Sequence, residues 1–145
     1  TTEIYTLSLH DALPISFTVV SGGGLTNAGG ADRPNRIRHG NLPGGERTID
    51  RWFDVGAFTL QPQFTYGNSG RNILYGPGVT NLDFSLAKYF AITERVRLQF
   101  RAEAFNASNT PAFGNPNANI TSPAVGTINS AGEPRRIQFG LKLLY

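Results

Sequence analysis

Apolar and polar residues alternate along the last stretch of the chain, Arg136 to Tyr145. Its odd-numbered positions are all apolar or aromatic, and most of its even-numbered positions are polar or glycine. The odd-numbered positions are Ile137, Phe139, Leu141, Leu143 and Tyr145. Because successive side chains of a strand point to opposite faces, the pattern predicts a strand with one apolar and one mostly polar face. About ten residues is also the length that a tilted strand needs to cross a bilayer.

Two earlier stretches alternate in the same way and predict two more strands, Leu82–Phe90 and Arg95–Asn106, with a short turn over residues 91–94. In the second strand, the apolar positions are Val96, Leu98, Phe100, Ala102 and Ala104. The alternate positions are Arg97, Gln99, Arg101, Glu103 and Phe105. A helix is excluded because apolar residues occupy every second position. Lys88 is the exception on the apolar side, and we expect it near the membrane boundary, where its long side chain can reach water.

Long connections without a regular period surround these strands. The apolar and β-branched residues 17–20 indicate the end of a strand. Residues 21–79 and 107–134 show no sustained period of apolar positions and contain many Gly, Asn and Pro. Within the first connection, residues 48–54 predict a short helix and residues 55–60 a short strand. Long and short connections therefore alternate, which is typical of outer-membrane barrels with short periplasmic turns and long extracellular loops.

Composition narrows the classes of partner. The chain has no Cys and two His, so disulfides and thiolate metal sites are excluded and an ordinary zinc site is not expected. No apolar run reaches the roughly 18 residues of a membrane helix, so a membrane-spanning form would need strands closed into a barrel. The net charge of +3 comes without a nucleic-acid-binding motif. We therefore expect no cofactor, no metal and no nucleic-acid partner.

An enzyme is not expected either. The sequence offers no recognisable set of nucleophile, base and orienting residue. Asp50 and Asp54 lie four positions apart and resemble paired carboxylates, but Arg47 and Arg51 beside them favour simple surface pairing.

The first sixteen residues differ from the rest. The segment Glu3 to Ile15 resembles the translation of a common short-read sequencing adapter over its whole length. It has no basic region typical of a secretory signal peptide. Segments of such origin are set aside in fold reasoning, so we interpret residues 1–16 as non-native and residues 17–145 as the protein. A short amphipathic segment, or a short strand and turn, is the alternative. We expect residues 1–16 to add nothing to the fold.

Several segments together resemble the C-terminal barrel of TonB-dependent transporters. They are Gly67 to Asn72, Gly76 to Gly78, Asn81 to Lys88, Arg97 to Asn106 and Phe113 to Pro116. The resemblance is greatest to the Oar-like branch, whose members often carry an N-terminal carboxypeptidase-regulatory-like domain. It covers nearly all of residues 17–145. The last eight residues also fit the assembly signal of outer-membrane barrels, in which a polar residue, a glycine, an apolar residue and an aromatic residue recur at fixed spacing. Those positions are Gln138, Gly140, Leu143 and Tyr145.

This resemblance implies an all-β fold of antiparallel amphipathic strands with long loops, the last strands of a transmembrane β-barrel in the bacterial outer membrane. It implies four partners: membrane lipid, the barrel-assembly machinery, the TonB system acting through a plug domain, and an unknown solute. Such barrels have a plug and 22 strands, whereas three full strands and the end of a fourth are predicted here. We therefore interpret the chain as a fragment that cannot close a barrel alone.

Loop residues are the candidates for solute contact. They are Arg36, Arg38, Trp52, Phe53, Phe64 and Tyr66. The alternative is that these aromatic residues only pack the loops on each other. A function of another class also stays open, a secreted soluble β-sandwich module that binds carbohydrate, because aromatic loops and amphipathic strands are compatible with it.

Overall fold

The computed structural model describes residues 3–145, which form two compact units. The sheet unit comprises residues 3–13, 79–112 and 132–145, and the loop unit comprises residues 14–78 and 113–131. The strands in chain order are β1 Glu3–Ala12, β2 Ser16–Phe17, β3 Asn35–Arg36, β4 Phe58–Thr59, β5 Leu74–Tyr75, β6 Val79–Ala91, β7 Arg97–Phe105 and β8 Arg136–Leu144. Two single 3-10 turns, Gly44–Glu46 and Val55–Ala57, are the only helical elements in the described residues. None of these is long and apolar enough to cross a membrane.

The sheet unit is an antiparallel meander in the order β1-β6-β7-β8. The three predicted strands are confirmed as β6, β7 and β8, with β6 extending by three residues at its start and one at its end. The predicted short turn closes between β6 and β7, where Val96 accepts hydrogen bonds from the N–H groups of Ile92 (2.9 Å) and Thr93 (3.1 Å). Among the described residues the sheet stays open, because β1 and β8 each pair with one strand only.

Strand β1 falls inside the segment that resembles an adapter. It pairs with β6 from Glu3 opposite Lys88 to Ala12 opposite Val79. Its side chains are nearly all exposed, and Leu7, Leu9 and Leu13 lie outside the core. An open sheet edge accepts almost any extended segment with alternating residues, so pairing here does not decide the origin of residues 1–16. The expectation that residues 1–16 add nothing to the fold is not met, because β1 is an edge strand of the sheet and Ser16 belongs to β2. Their interpretation as non-native remains a prediction.

The loop unit has its own core, which the absence of a regular period had hidden. Its buried apolar residues are Phe17, Val19, Phe53, Ala57, Phe58 and Leu74. The Phe53 ring packs edge-on against Phe17 and Phe58, with centroids 5.8 and 6.1 Å apart. Both long connections contribute, since Ile120 and Val125 pack against this core and Val20 forms a parallel bridge with Asn119. The connections are therefore folded and do not form structureless loops.

The helix predicted over residues 48–54 is wrong. Thr48 and Arg51 instead close a tight turn, each donating its N–H to the other's carbonyl at 3.0 and 3.2 Å. The N–H groups of Trp52 and Asp54 then donate to distant carbonyls, those of Gly126 and Gly40, both at 2.9 Å. A helix would need these donors for the residues four positions earlier. The strand predicted over residues 55–60 is limited to β4, because residues 55–57 form a 3-10 turn.

A buried carboxylate holds one segment of the loop unit together. Asp32 accepts hydrogen bonds from the Thr26 hydroxyl and from the N–H groups of Leu25 (2.8 Å) and Thr26 (3.1 Å). Only 6% of Asp32 is exposed. The hydroxyl of Thr26, followed by these backbone donors, lowers the pKa of Asp32 below its ordinary value, because each stabilises the charged form.

Candidate functional site

One face of the sheet unit is apolar across all of its long strands. The strand register places the residues in four cross-strand rows over β6, β7 and β8. From the short turn outward the rows are Phe90–Leu98–Leu143, Lys88–Phe100–Leu141, Leu86–Ala102–Phe139 and Phe84–Ala104–Ile137. The face is uncovered: Phe139 is 73% exposed and Leu141 is 70% exposed. A contiguous apolar face of this kind marks contact with a membrane or a partner.

Lys88 interrupts the apolar face one row from Phe90, the last apolar position before the short turn. Its ammonium group lies 2.7 Å from the Glu3 carboxylate and 5.7 Å from the centroid of the Phe90 ring. Lys88 lies one row from the short-turn end of the apolar face, from which its long side chain can extend toward water. Its position close to a membrane boundary stays a prediction. Glu3 belongs to the segment that resembles an adapter, so the ion pair depends on the origin of that segment.

The opposite face carries the polar positions of the same strands. Gln99 donates to the Tyr89 hydroxyl at 2.8 Å and stands beside Lys142. Arg101 lies 3.5 Å from Glu103, which also accepts a hydrogen bond from Gln138. These contacts join neighbouring strands or neighbouring positions and neutralise part of the charge. The predicted division of β7 and β8 into two faces of opposite polarity is therefore confirmed.

The predicted assembly signal lies along β8 and just beyond it. Gln138 and Gly140 are on the polar face, Leu143 is on the apolar face, and Tyr145 follows the end of the strand with its side chain fully exposed. A side chain at Gly140 would meet no atom within 4 Å. Packing within the described chain therefore does not demand glycine at this position.

The six candidate solute contacts all lie in the loop unit. Arg36 donates to the Arg38 carbonyl at 3.1 Å, and Arg38 binds the Asp54 carboxylate through two nitrogens, at 2.8 and 3.3 Å. The Trp52 indole N–H donates to the Tyr75 carbonyl at 2.9 Å, and Arg47 lies 5.7 Å from the ring centroid.

Phe53 is only 1% exposed, so its ring belongs to the core and is not available to a solute. The packing alternative therefore describes Phe53 and, in part, Trp52, which is half-buried against the same core. Phe64 and Tyr66, in contrast, are 71% and 81% exposed on one turn. The remaining five residues stay candidates for solute contact.

Two concavities on the polar side of the sheet unit were not predicted. One, of about 220 Å³, surrounds Gly140 and is lined by Gln99, Arg101 and Lys142. The other, of about 400 Å³, lies where the long connections leave the sheet and includes Asp83, Phe105 and Arg136. The one signal for it in the sequence is Phe105, an aromatic residue among the polar positions of β7.

Comparison with known families decides between the two classes of function. A family profile described as "Outer membrane beta barrel domain" matches residues 5–138. The chain belongs to this family. Neither the curated proteins nor the solved structures return a match.

Membership places the barrel domain in the bacterial outer membrane and confirms the predicted fold class, antiparallel amphipathic strands of a transmembrane barrel. In such barrels the apolar face meets lipid and the polar face lines the interior. The exposed apolar rows have this arrangement, whereas a soluble sandwich would bury them against a second sheet. The interpretation as a secreted carbohydrate-binding module is therefore wrong, and the chain is part of an outer-membrane barrel protein.

Proposed function

We propose that the chain supplies part of the wall and the outer loops of a TonB-dependent active transporter, in which it has no catalytic role. The observation that carries the proposal is that both long connections contribute to the loop unit, residues 14–78 and 113–131, and share its core. A loop structure that is ordered in this way offers a preformed surface to a solute, which lowers the entropic cost of binding. The sequence resemblance to the Oar-like branch supports the same function.

Phe64 strengthens the proposed role of the loop unit in solute contact. Its backbone has φ of +64°, a conformation that bulky residues rarely adopt. Such a conformation costs on the order of 1–3 kcal/mol and persists where its surroundings enforce it. The N–H of Phe64 donates to the Leu25 carbonyl at 2.6 Å, and Thr65 binds the Pro62 carbonyl through its hydroxyl at 2.7 Å. These bonds fix the backbone that carries the exposed Phe64 ring.

Transport is tested by depletion of solutes from the growth medium. We compare the parent strain with one lacking the full gene and one lacking TonB. The proposal expects the same compounds to remain in the medium of both deletion strains. Depletion that needs this gene but proceeds normally without TonB would contradict active transport and leave a passive or adhesive barrel.

The assembly partner is tested on β8 itself. Tyr145→Ala and Leu143→Asp alter signal positions, and we expect each to lower the amount of assembled barrel in the outer membrane several-fold. Leu144→Ala is the matched control, because it changes the residue between them, which the signal leaves free. Heat-modifiable migration on gels measures assembly. Equal losses in all three variants would show that β8 acts only through general packing.

A further inference from the structure

The cavity of about 400 Å³ lies at the end of the polar face where the long connections leave the sheet. Its size is within the range of roughly 300–1,000 Å³ that is typical of small-molecule sites. The polar and aromatic part of its lining comes from the start of β6, the end of β7, the start of β8 and the base of the β7–β8 connection. The residues that matter here are Asp83, Phe105, Asn106, Thr110, Glu133 and Arg136.

Phe105 forms an aromatic floor between groups of opposite charge. It pairs with Arg136 on β8. On its other side, the β6–β7 register continued by one residue brings Asp83 beside Phe105, and Asp83 Oδ1 accepts the N–H of Asn106 at 2.9 Å. The Phe105 side chain is 41% exposed although it stands on the polar face. An accessible ring with a carboxylate and a guanidinium on either side is thus built into the strands.

Asn106 fixes the walls of the cavity. Its φ of +49° is in the left-handed region, which Asn tolerates better than most residues. Its side-chain amide donates to the carbonyls of Thr110 (3.0 Å) and Glu133 (3.2 Å), and its carbonyl accepts the N–H of Thr110 (3.0 Å). Both ends of the β7–β8 connection are therefore tied to one residue, so the cavity exists before a ligand arrives.

The polar groups of the cavity have capacity left for a ligand. Asp83 Oδ1 accepts from Asn81 and Asn106, but Oδ2 has no hydrogen bond within residues 3–145. Glu133 and Arg136 form a mostly exposed ion pair at 3.0 Å. An exposed pair of this kind contributes about 0–1 kcal/mol, so either group is free to turn toward a ligand. The cavity thus offers acceptors and donors around an aromatic ring.

We propose that this cavity binds a carbohydrate, that is, an uncharged polyhydroxylated ring. Hydroxyl groups both donate and accept, so neighbouring hydroxyls can bind the Asp83 carboxylate and the Arg136 guanidinium while the apolar side of the ring packs on Phe105. Two carboxylates against one guanidinium disfavour an anionic ligand. The inference deepens the proposed transport function by naming its substrate class, and it rests on that function only for the passage of the sugar through the membrane.

Binding is tested on the full-length protein in detergent micelles, by calorimetry with maltotriose, cellotriose and chitotriose as probes and triglycine as a zwitterionic comparison. The site variants are Asp83→Asn and Phe105→Leu. Their matched controls are Glu103→Gln, a carboxylate further along the same face, and Phe90→Leu, an aromatic residue at the other end of β6.

We expect at least one of the three sugars to bind, and each site variant to weaken its affinity about tenfold or more, as the loss of a charge-assisted hydrogen bond or an aromatic contact does. The controls should change affinity by less than about twofold, since surface substitutions outside a site have little effect. Binding of triglycine without any sugar, no sugar binding at millimolar concentration, or equal effects of site and control variants would each overturn the inference.

If a site variant fails to assemble, the inference is tested by a measurement that leaves the fold unchanged. Fluorine-labelled phenylalanine at position 105 of the otherwise unchanged protein should shift its NMR signal when the sugar binds. An unchanged signal at saturating sugar would place binding elsewhere and overturn the inference.

Whole cells separate this inference from the transport proposal. With the membrane de-energised by a protonophore, the labelled sugar should still bind at the surface, and Asp83→Asn should weaken that binding about tenfold or more. Binding without energised uptake would refute transport and leave the carbohydrate site intact. Energised uptake of another solute class, unchanged by Asp83→Asn, would refute the carbohydrate site and leave transport intact.

Discussion

Replacing Leu141 with arginine tests which face of the sheet meets lipid. Leu141 lies on the apolar face in the row of Lys88 and Phe100. The same side-chain parity on β6 runs apolar from Phe90 to Leu82 apart from Lys88, a span of about 27 Å at about 3.4 Å per residue. A strand tilt of about 40° reduces this span to about 21 Å along the membrane normal, close to the ~25 Å apolar band of outer-membrane barrels.

The depth of Leu141 sets the size of the effect. The Leu141 row is two residues from the middle of this span, which is about 5 Å along the normal. Arginine costs about 2–4 kcal/mol at mid-bilayer and about 0–1 kcal/mol at the interface. We therefore expect Leu141→Arg to lower the free energy of unfolding in lipid by about 2 kcal/mol, which reduces the folding equilibrium constant roughly thirtyfold.

Gln99→Arg is the matched control, because Gln99 lies at nearly the same depth on the opposite face. It loses the bond from Gln99 to the Tyr89 hydroxyl and places a positive charge beside Lys142. Each effect is small in a wet interior, so we expect a cost of at most about 1 kcal/mol. Both costs are measured by urea titration of the full-length variants in phospholipid vesicles, with the folded fraction read from migration on gels. Equal costs, or a larger one at Gln99, would refute the assignment of the faces.

Three further outcomes are expected. Residues 17–145 alone in plain buffer should not give a stable monomer, because an apolar face and open edges invite association; a monomeric, cooperatively melting species in sedimentation would contradict this. Phe53→Ala should destabilise the loop unit by about 3–5 kcal/mol, as loss of a core aromatic does. Tyr66→Ala should change the stability of the unit by less than about 0.5 kcal/mol. Equal proteolysis rates for the two variants would contradict the assignment of Phe53 to the core. Because the pKa of Asp32 is lowered in the folded state, Asp32 stabilises the fold above its ordinary pKa of 3.8, and this stabilisation is lost as the pH falls below that value. Asp32→Asn should therefore remove an acid-dependent step in the protection of the loop unit from proteolysis. An unchanged acid profile would show that Asp32 is not responsible for the step.

The sequence by itself determined the strands that span the membrane and their two faces. Alternation in β6, β7 and β8 is visible in a single chain because each strand meets lipid on one side and a polar interior on the other, so every second residue carries the same constraint. Phe105 was already visible as an apolar residue at a polar position. Its neighbours were not, since the row that joins Phe105 to Asp83 and Arg136 depends on the register between strands.

Only the tertiary structure decided the fold of the long connections. Their core is made of single apolar residues far apart in the chain. Phe17 comes from the two-residue strand β2 and Phe53 from an isolated bridge, and neither belongs to a long alternating strand. The helix expected over residues 48–54 failed for the same reason: Gly126 and Gly40 accept the hydrogen bonds that a helix would have kept local. Contacts between distant segments leave no period in the sequence, because they form only when both segments have folded together.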